Sequence, residues 1–115
     1  MIKNKLQRFN GDRIGYKVVT IELKSLGLRR NPNILTYPIS EWYILPDDWI
    51  EEGKGDWGGM WLSRVPSTAK RLKLYMREKH NTECRIFKSY IGRDLFHNSY
   101  RVKTDKVKMF EELIF

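Results

Sequence analysis

Cysteine, histidine and long apolar runs are scarce in this chain. Cys84 is the one cysteine among 115 residues, which excludes an internal disulfide framework. With His80, His97 and Cys84 as the only nitrogen and sulfur ligands, a four-ligand zinc site cannot be assembled without carboxylates, so no metal is expected. No stretch approaches the roughly eighteen consecutive apolar residues of a membrane helix. The opening MIKNKLQRF lacks the apolar centre of a secretion signal. The expectation is a cytoplasmic chain with no membrane segment. Repeats, low-complexity tracts and linkers are also missing, and at this length one domain over residues 1–115 is expected.

Aromatic residues and positive charge are what the chain has in quantity. Four Trp, six Tyr and five Phe supply large rings to a core that is short of length. The formal net charge is +8, and it is unevenly spread. Residues 1–30 hold eight basic residues against two acids, residues 31–60 one against six, and residues 61–115 thirteen against six. A protein so divided presents a positive surface that steers phosphate or acidic partners toward it.

Local patterns predict an α+β domain. Asn10-Gly11 between two strand-like runs favours a tight hairpin. Its second arm, Arg13 to Leu23, carries Ile14, Tyr16, Val18 and Thr20 on one side and Lys17, Val19 and Ile21 on the other, the mark of a central strand covered on both faces. Pro38 divides NILTYPISEWYILP into two short strands. GGMWLSRV reads as another strand. The main helix is expected over Ser67 to Lys79, with Ser67 as its cap and Ala69, Leu72, Tyr75 and Met76 as its apolar stripe. ECRIFKSYIG and DLFHNSYRVK read as paired strands joined at Gly92-Arg93. TDKVKMFEELIF, with Thr104 as cap and Val107, Phe110, Leu113 and Ile114 on one side, reads as a C-terminal helix. The sum is a mostly antiparallel sheet packed against one main helix, with a second helix at the C-terminus.

GKGDWGG satisfies the spacing of a dinucleotide-binding loop at Gly53, Gly55 and Gly58. That loop works only between a buried strand and an immediate helix. Here an acidic turn precedes it and the strand MWLSR follows, so a structural turn without cofactor is expected. The acids Asp47, Asp48, Glu51, Glu52 and Asp56 lack the ligand spacing of a calcium loop. Together with Trp42 and Trp49, Asp47, Asp48, Glu51 and Glu52 resemble instead a protein-docking patch, aromatic anchors within a charged rim. His97 has no orienting partner that spacing identifies, and reads as a strand histidine. The strongest functional signal is the helix: Lys70, Lys73 and Arg77 recur at three and four residues, and Arg71 and Lys79 widen the stripe. Each can neutralise a phosphate.

IGYKVV, then LTY, then GGMWLS leading into a helix with Ala69, resembles the order of elements in small phage-type domains of the ADP-ribosyltransferase-like fold. The resemblance implies a split sheet whose catalytic relatives hold NAD in a cleft. Those relatives need a glutamate late in the chain, an Arg or His early, and a Ser or Tyr between. Arg13 or Tyr16, and Ser63, are candidates for the early parts. Glu83 opens a strand, and Glu111 and Glu112 fall in the expected helix, so the resemblance carries over no catalytic residue. Three classes therefore stand: a non-catalytic nucleic-acid-binding module, a protein-interaction or inhibitor protein of viral or mobile-element origin, and an ADP-ribosyltransferase-like enzyme.

Overall fold

The computed structural model describes residues 13–28 and 34–114; the hairpin turn expected at Asn10-Gly11 lies outside them. Its second arm is β1 (Ile14–Thr20), and it takes the central place expected of a strand covered on both faces. The remaining strands are β2 (Trp42–Ile44), β3 (Met60–Ser63), β4 (Cys84–Ile91), β5 (Asp94–His97), β6 (Arg101–Thr104) and β7 (Lys106–Leu113), with α1 (Pro66–His80) between β3 and β4. They form a sheet in the order β2-β7-β4-β1-β3-β6-β5, and every pairing between these strands is antiparallel. Part of the expected NILTYPISEWYILP pair survives only as isolated bridges, Thr36 to Lys24 and Ile39 to Met109.

The sheet has a seam. β1 is zipped to β4 from Ile14↔Tyr90 to Thr20↔Cys84, but it meets β3 at one register pair, Tyr16↔Ser63. On one side of the seam lie β2, β7, β4 and β1; on the other lie β3, β6 and β5. Val19, Phe87, Ile91, Val107 and Met109 from the first half share one buried cluster with Met60, Leu62 and Val102 from the second, closed by Leu35, Tyr37 and Leu45. The opposite face of β1 and β4 sends Val18, Cys84 and Ile86 against Ala69 and Met76 of α1. Burying each such large side chain contributes about 1.5–3 kcal/mol.

Two crossings between the halves meet at one corner. Only Asp105 separates β6 from β7, and only Gly92 and Arg93 separate β4 from β5. Asp105 accepts hydrogen bonds from the Arg93 amide at 2.8 Å and from Arg93 Nε at 3.2 Å, and Arg93 also reaches Glu52 at 3.2 Å. A Cβ at Gly92 would collide with Asp105 Oδ1 and Lys106 Cγ, so the corner requires glycine for close approach.

Three expectations are corrected. The C-terminal segment is β7, not a helix. Val107 and Met109 are buried at period two, facing Ile91 and Ser89, but the register with β4 shifts between Lys88 and Ser89. That irregularity moves Phe110 out of phase to stack on Tyr90 at 4.3 Å, and the resulting 107, 110, 113 spacing imitates a helical stripe. DLFHNSYRVK is two strands, β5 and β6, paired with each other rather than with β4. α1 begins at Pro66 with Val65 as cap, so Ser67 lies inside the helix. It ends at Asn81, whose left-handed backbone lets its amide reach Met76 and Arg77 carbonyls.

Gly92→Ala should lower stability by about 1–3 kcal/mol, the usual cost of overpacking a close approach. Equilibrium urea unfolding of both proteins reads this as a lower midpoint; an unchanged midpoint contradicts the corner geometry.

Candidate functional site: a cationic helix face and the cleft beside it

Because Ala69 and Met76 anchor one side of α1, its basic residues turn outward: Lys70, Arg71, Arg77 and Lys79 are exposed and Lys73 is half-buried. Lys70, Lys73, Leu74, Arg77 and Glu83 line one shallow depression. On the other flank, Arg71, Thr68, Leu72 and Tyr75 of the helix face Leu28, Ser63, Tyr100 and Arg101 across a second groove of about 500 Å³. Tyr75 belongs to this outer wall. Expected on the apolar stripe, it is 45% exposed and its ring meets His80 edge-on at 5.4 Å. Tyr100, 56% exposed, stands opposite.

The groove continues inward through the seam. Leu28, Ser63, Leu72 and Arg101 also line a smaller cleft whose walls include Tyr16, Lys17, Tyr37, Gly59, Met60 and Trp61. No carboxylate is among the lining residues described. Arg101, half-buried opposite Ser63, has a buried Nε with no hydrogen-bond partner among the described residues. Lys17 crosses the seam. Its Nζ donates to the Trp61 carbonyl at 2.8 Å and lies 4.8 Å from the centre of the Tyr37 ring. Burial without a counter-charge pushes the Lys17 ammonium down to about 7.

Lys103 gives a contrasting case. It is fully buried and donates to the carbonyls of Lys54 at 2.7 Å and Trp57 at 3.1 Å, and burial lowers its pKa too. This contact organises GKGDWGG: the Lys103 stem crosses Gly59, leaving no space for a Cβ, while Gly58 adopts φ +96 against Glu51. The glycines thus serve a turn into β3, as their surroundings in the sequence imply.

The acidic set is only partly gathered. Asp47, Asp48 and Trp49 form an exposed single turn, and Glu51 and Glu52 follow on the surface. Glu52 is already engaged by Arg93. Trp42 sits half-buried on β2, beneath the Lys106 ammonium at 4.7 Å. Of the residues suggested by the resemblance, Tyr16 and Ser63 meet in the cleft, whereas Arg13 is buried and is not among its lining residues. Glu111 and Glu112 do stand on a late strand, but Glu112 is held by Arg85 at 2.8 and 3.0 Å and neither lines the cleft.

Sequence reading passed over Lys17, Arg101 and Tyr100. The available signal was Lys17, a charged residue in mid-strand where both faces are covered. His97 does have an orienting partner, Asp94 at 2.6 Å, only three residues away. Among the described residues no cluster of His, Cys, Asp and Glu is arranged to hold a metal, and no helix is long and apolar enough to cross a membrane. No protein-family model, curated protein or solved structure matches the chain.

The Lys17 environment has a signed consequence. Between its folded pKa of about 7 and the ordinary lysine value of about 10.4, the unfolded chain binds a proton that the folded one does not. Stability therefore rises with pH across that window. Lys17→Met should flatten the rise by up to about 1.4 kcal/mol per pH unit, measured by urea unfolding of both proteins at several pH values. Lys103 contributes alike to both and cancels. Identical slopes contradict the assignment.

Proposed function

We propose that this chain is a non-catalytic binding module for nucleic acid that engages phosphates along the outer face of α1. The observation carrying this reading is the groove in which Arg71 and Arg101 alternate with the exposed rings of Tyr75 and Tyr100. Guanidinium groups pair with phosphates, and accessible rings stack on unpaired bases, which favours a single-stranded ligand. Lys70, Lys73, Arg77 and Lys79 extend the cationic track on the same helix. The acidic loop is tied elsewhere, through Gly53 to Leu95 of β5 and through Glu52 to Arg93.

A second reading, an ADP-ribosyltransferase-like enzyme, is favoured by the split sheet and by Tyr16 facing Ser63 within it. Against it, the described lining lacks the glutamate that stabilises an oxocarbenium ion. Trp49, 38% exposed beside Asp47 and Asp48, suits a protein partner, and copurification that survives nuclease would favour that role.

Filter binding of a short single-stranded oligonucleotide at two salt concentrations tests the main proposal. Affinity should fall steeply with salt, and each phosphate contact removed by Lys73→Glu or Arg77→Glu should flatten the log–log slope by about 0.7. Tyr100→Ala should cost about 1–3 kcal/mol with little change in slope. Binding indifferent to salt overturns the proposal. For the second reading, NAD at a hundred times its dissociation constant should stabilise the fold by about 2.7 kcal/mol; no rise in melting temperature with NAD counts against it.

A further inference from the structure

We propose that the seam cleft is a covalent capture site for small 2-oxo acids, with Lys17 as the amine that condenses with the carbonyl and Arg101 as the partner of the carboxylate. This site shares Arg101 with the outer groove, but the chemistry at Lys17 stands whether or not α1 binds nucleic acid.

Three features of the cleft converge on this ligand. First, Lys17 lines a cleft with no carboxylate among its described walls. Its hydrogen bond to the Trp61 carbonyl at 2.8 Å, the one it makes among the described residues, uses a single N–H. In the neutral amine this leaves the other N–H and a lone pair for a ligand. Burial brings the neutral form within reach at physiological pH, the usual route by which a lysine becomes a nucleophile. Second, Arg101 lines the same cleft, and its buried Nε has no hydrogen-bond partner among the described residues. A buried guanidinium N–H without an acceptor is costly, and a ligand carboxylate removes that cost. Third, the free space is about 80 Å³, and one water needs roughly 10–15 Å³ on that measure. Room for about five to eight non-hydrogen atoms follows, which suits glyoxylate or pyruvate; anything larger must extend into the outer groove.

The chemistry balances without an oxidant or metal. Neutral Lys17 Nζ attacks the carbonyl carbon, forming a C–N bond as the C=O π pair moves to oxygen. Transfer of a proton from nitrogen to oxygen gives the carbinolamine. The nitrogen lone pair then forms C=N as the C–O bond breaks; the oxygen leaves as water with a proton taken from solvent, and the second amine proton stays on the iminium nitrogen, donated to the Trp61 carbonyl. The step is reversible, so the adduct is stable to isolation only after hydride is added to the imine carbon.

Lys103 separates reactivity from burial alone. It is as buried as Lys17, but two carbonyls hold its nitrogen and it does not line the cleft. The test is reductive trapping of the full chain with glyoxylate and cyanoborohydride near neutral pH, with peptide mapping to locate each adduct. Lys17 should be modified once per chain and at least about tenfold faster than surface lysines, since a pKa about three units lower makes the neutral amine far more abundant. Lys103 should stay unmodified, and the terminal amine serves as a reactive reference. Acetaldehyde, which lacks the carboxylate, should modify Lys17 at least about tenfold more slowly relative to that reference, as one lost charge-assisted contact implies. Arg101→Gln should remove the preference, bringing the ratio of glyoxylate to acetaldehyde trapping at Lys17 down to that of the terminal amine. Adducts confined to surface lysines or the terminus overturn the proposal, as do equal trapping of Lys103 or equal rates for the two aldehydes. Because the wild-type map and the surface-proximal Arg101→Gln variant decide the matter, the proposal does not depend on Lys17→Met folding.

Discussion

The rest of the structure depends on the meeting of β1 and β3 at a single residue pair. A sheet zipped along the full length of β1 would leave Lys17 no cleft to line and would give Trp61 a strand partner for its carbonyl. Because only Tyr16 and Ser63 pair, the chain must satisfy the seam by other means. Lys17 does so by donating across it to Trp61, and Tyr37 covers the nitrogen from the side. A polar strut in this position keeps the halves in register while leaving space between them. An aliphatic residue there would seal the gap or let the halves slide, with no directional contact to fix their spacing.

Much of this architecture is legible in the sequence because it follows from local period. β1 shows apolar residues on both faces, β3 follows a glycine pair, and α1 opens with Pro66 and carries Ala69, Leu72 and Met76 at helical spacing. What escapes sequence reading is non-local. The bulge opposite Lys88 and Ser89 shifts the phase of β7 and disguises a strand as a helix. The corner at Asp105 turns an apparent hairpin at Gly92-Arg93 into a passage between two half-sheets. No periodicity reports either event, since both are set by strands distant in sequence.

The candidate site divides in the same way. The cations of α1 were visible because a helix displays its outer residues at fixed spacing: Lys70, Arg71, Arg77 and Lys79 are exposed, and Lys73 is half-buried beside the face that carries Ala69 and Met76. The groove beside them was not visible, for it is completed by Tyr100 and Arg101 at the start of β6. Lys17 and Lys103 illustrate why residue type alone misleads. Both are buried lysines on central strands, yet one fastens the glycine loop through two carbonyls while the other faces a cleft with one. The first is spent on structure; the second retains capacity for a ligand.

The state of the Lys17 nitrogen tests this account at its centre. Titration of the Lys17 side chain by nuclear magnetic resonance, following its Cε and Nζ signals in a lysine-labelled protein, reads that state without perturbing the seam. A midpoint near 7 is the predicted result. A midpoint near the ordinary lysine value of about 10.4 would place the nitrogen in water or beside an acid, and would contradict both the strut and the cleft it lines.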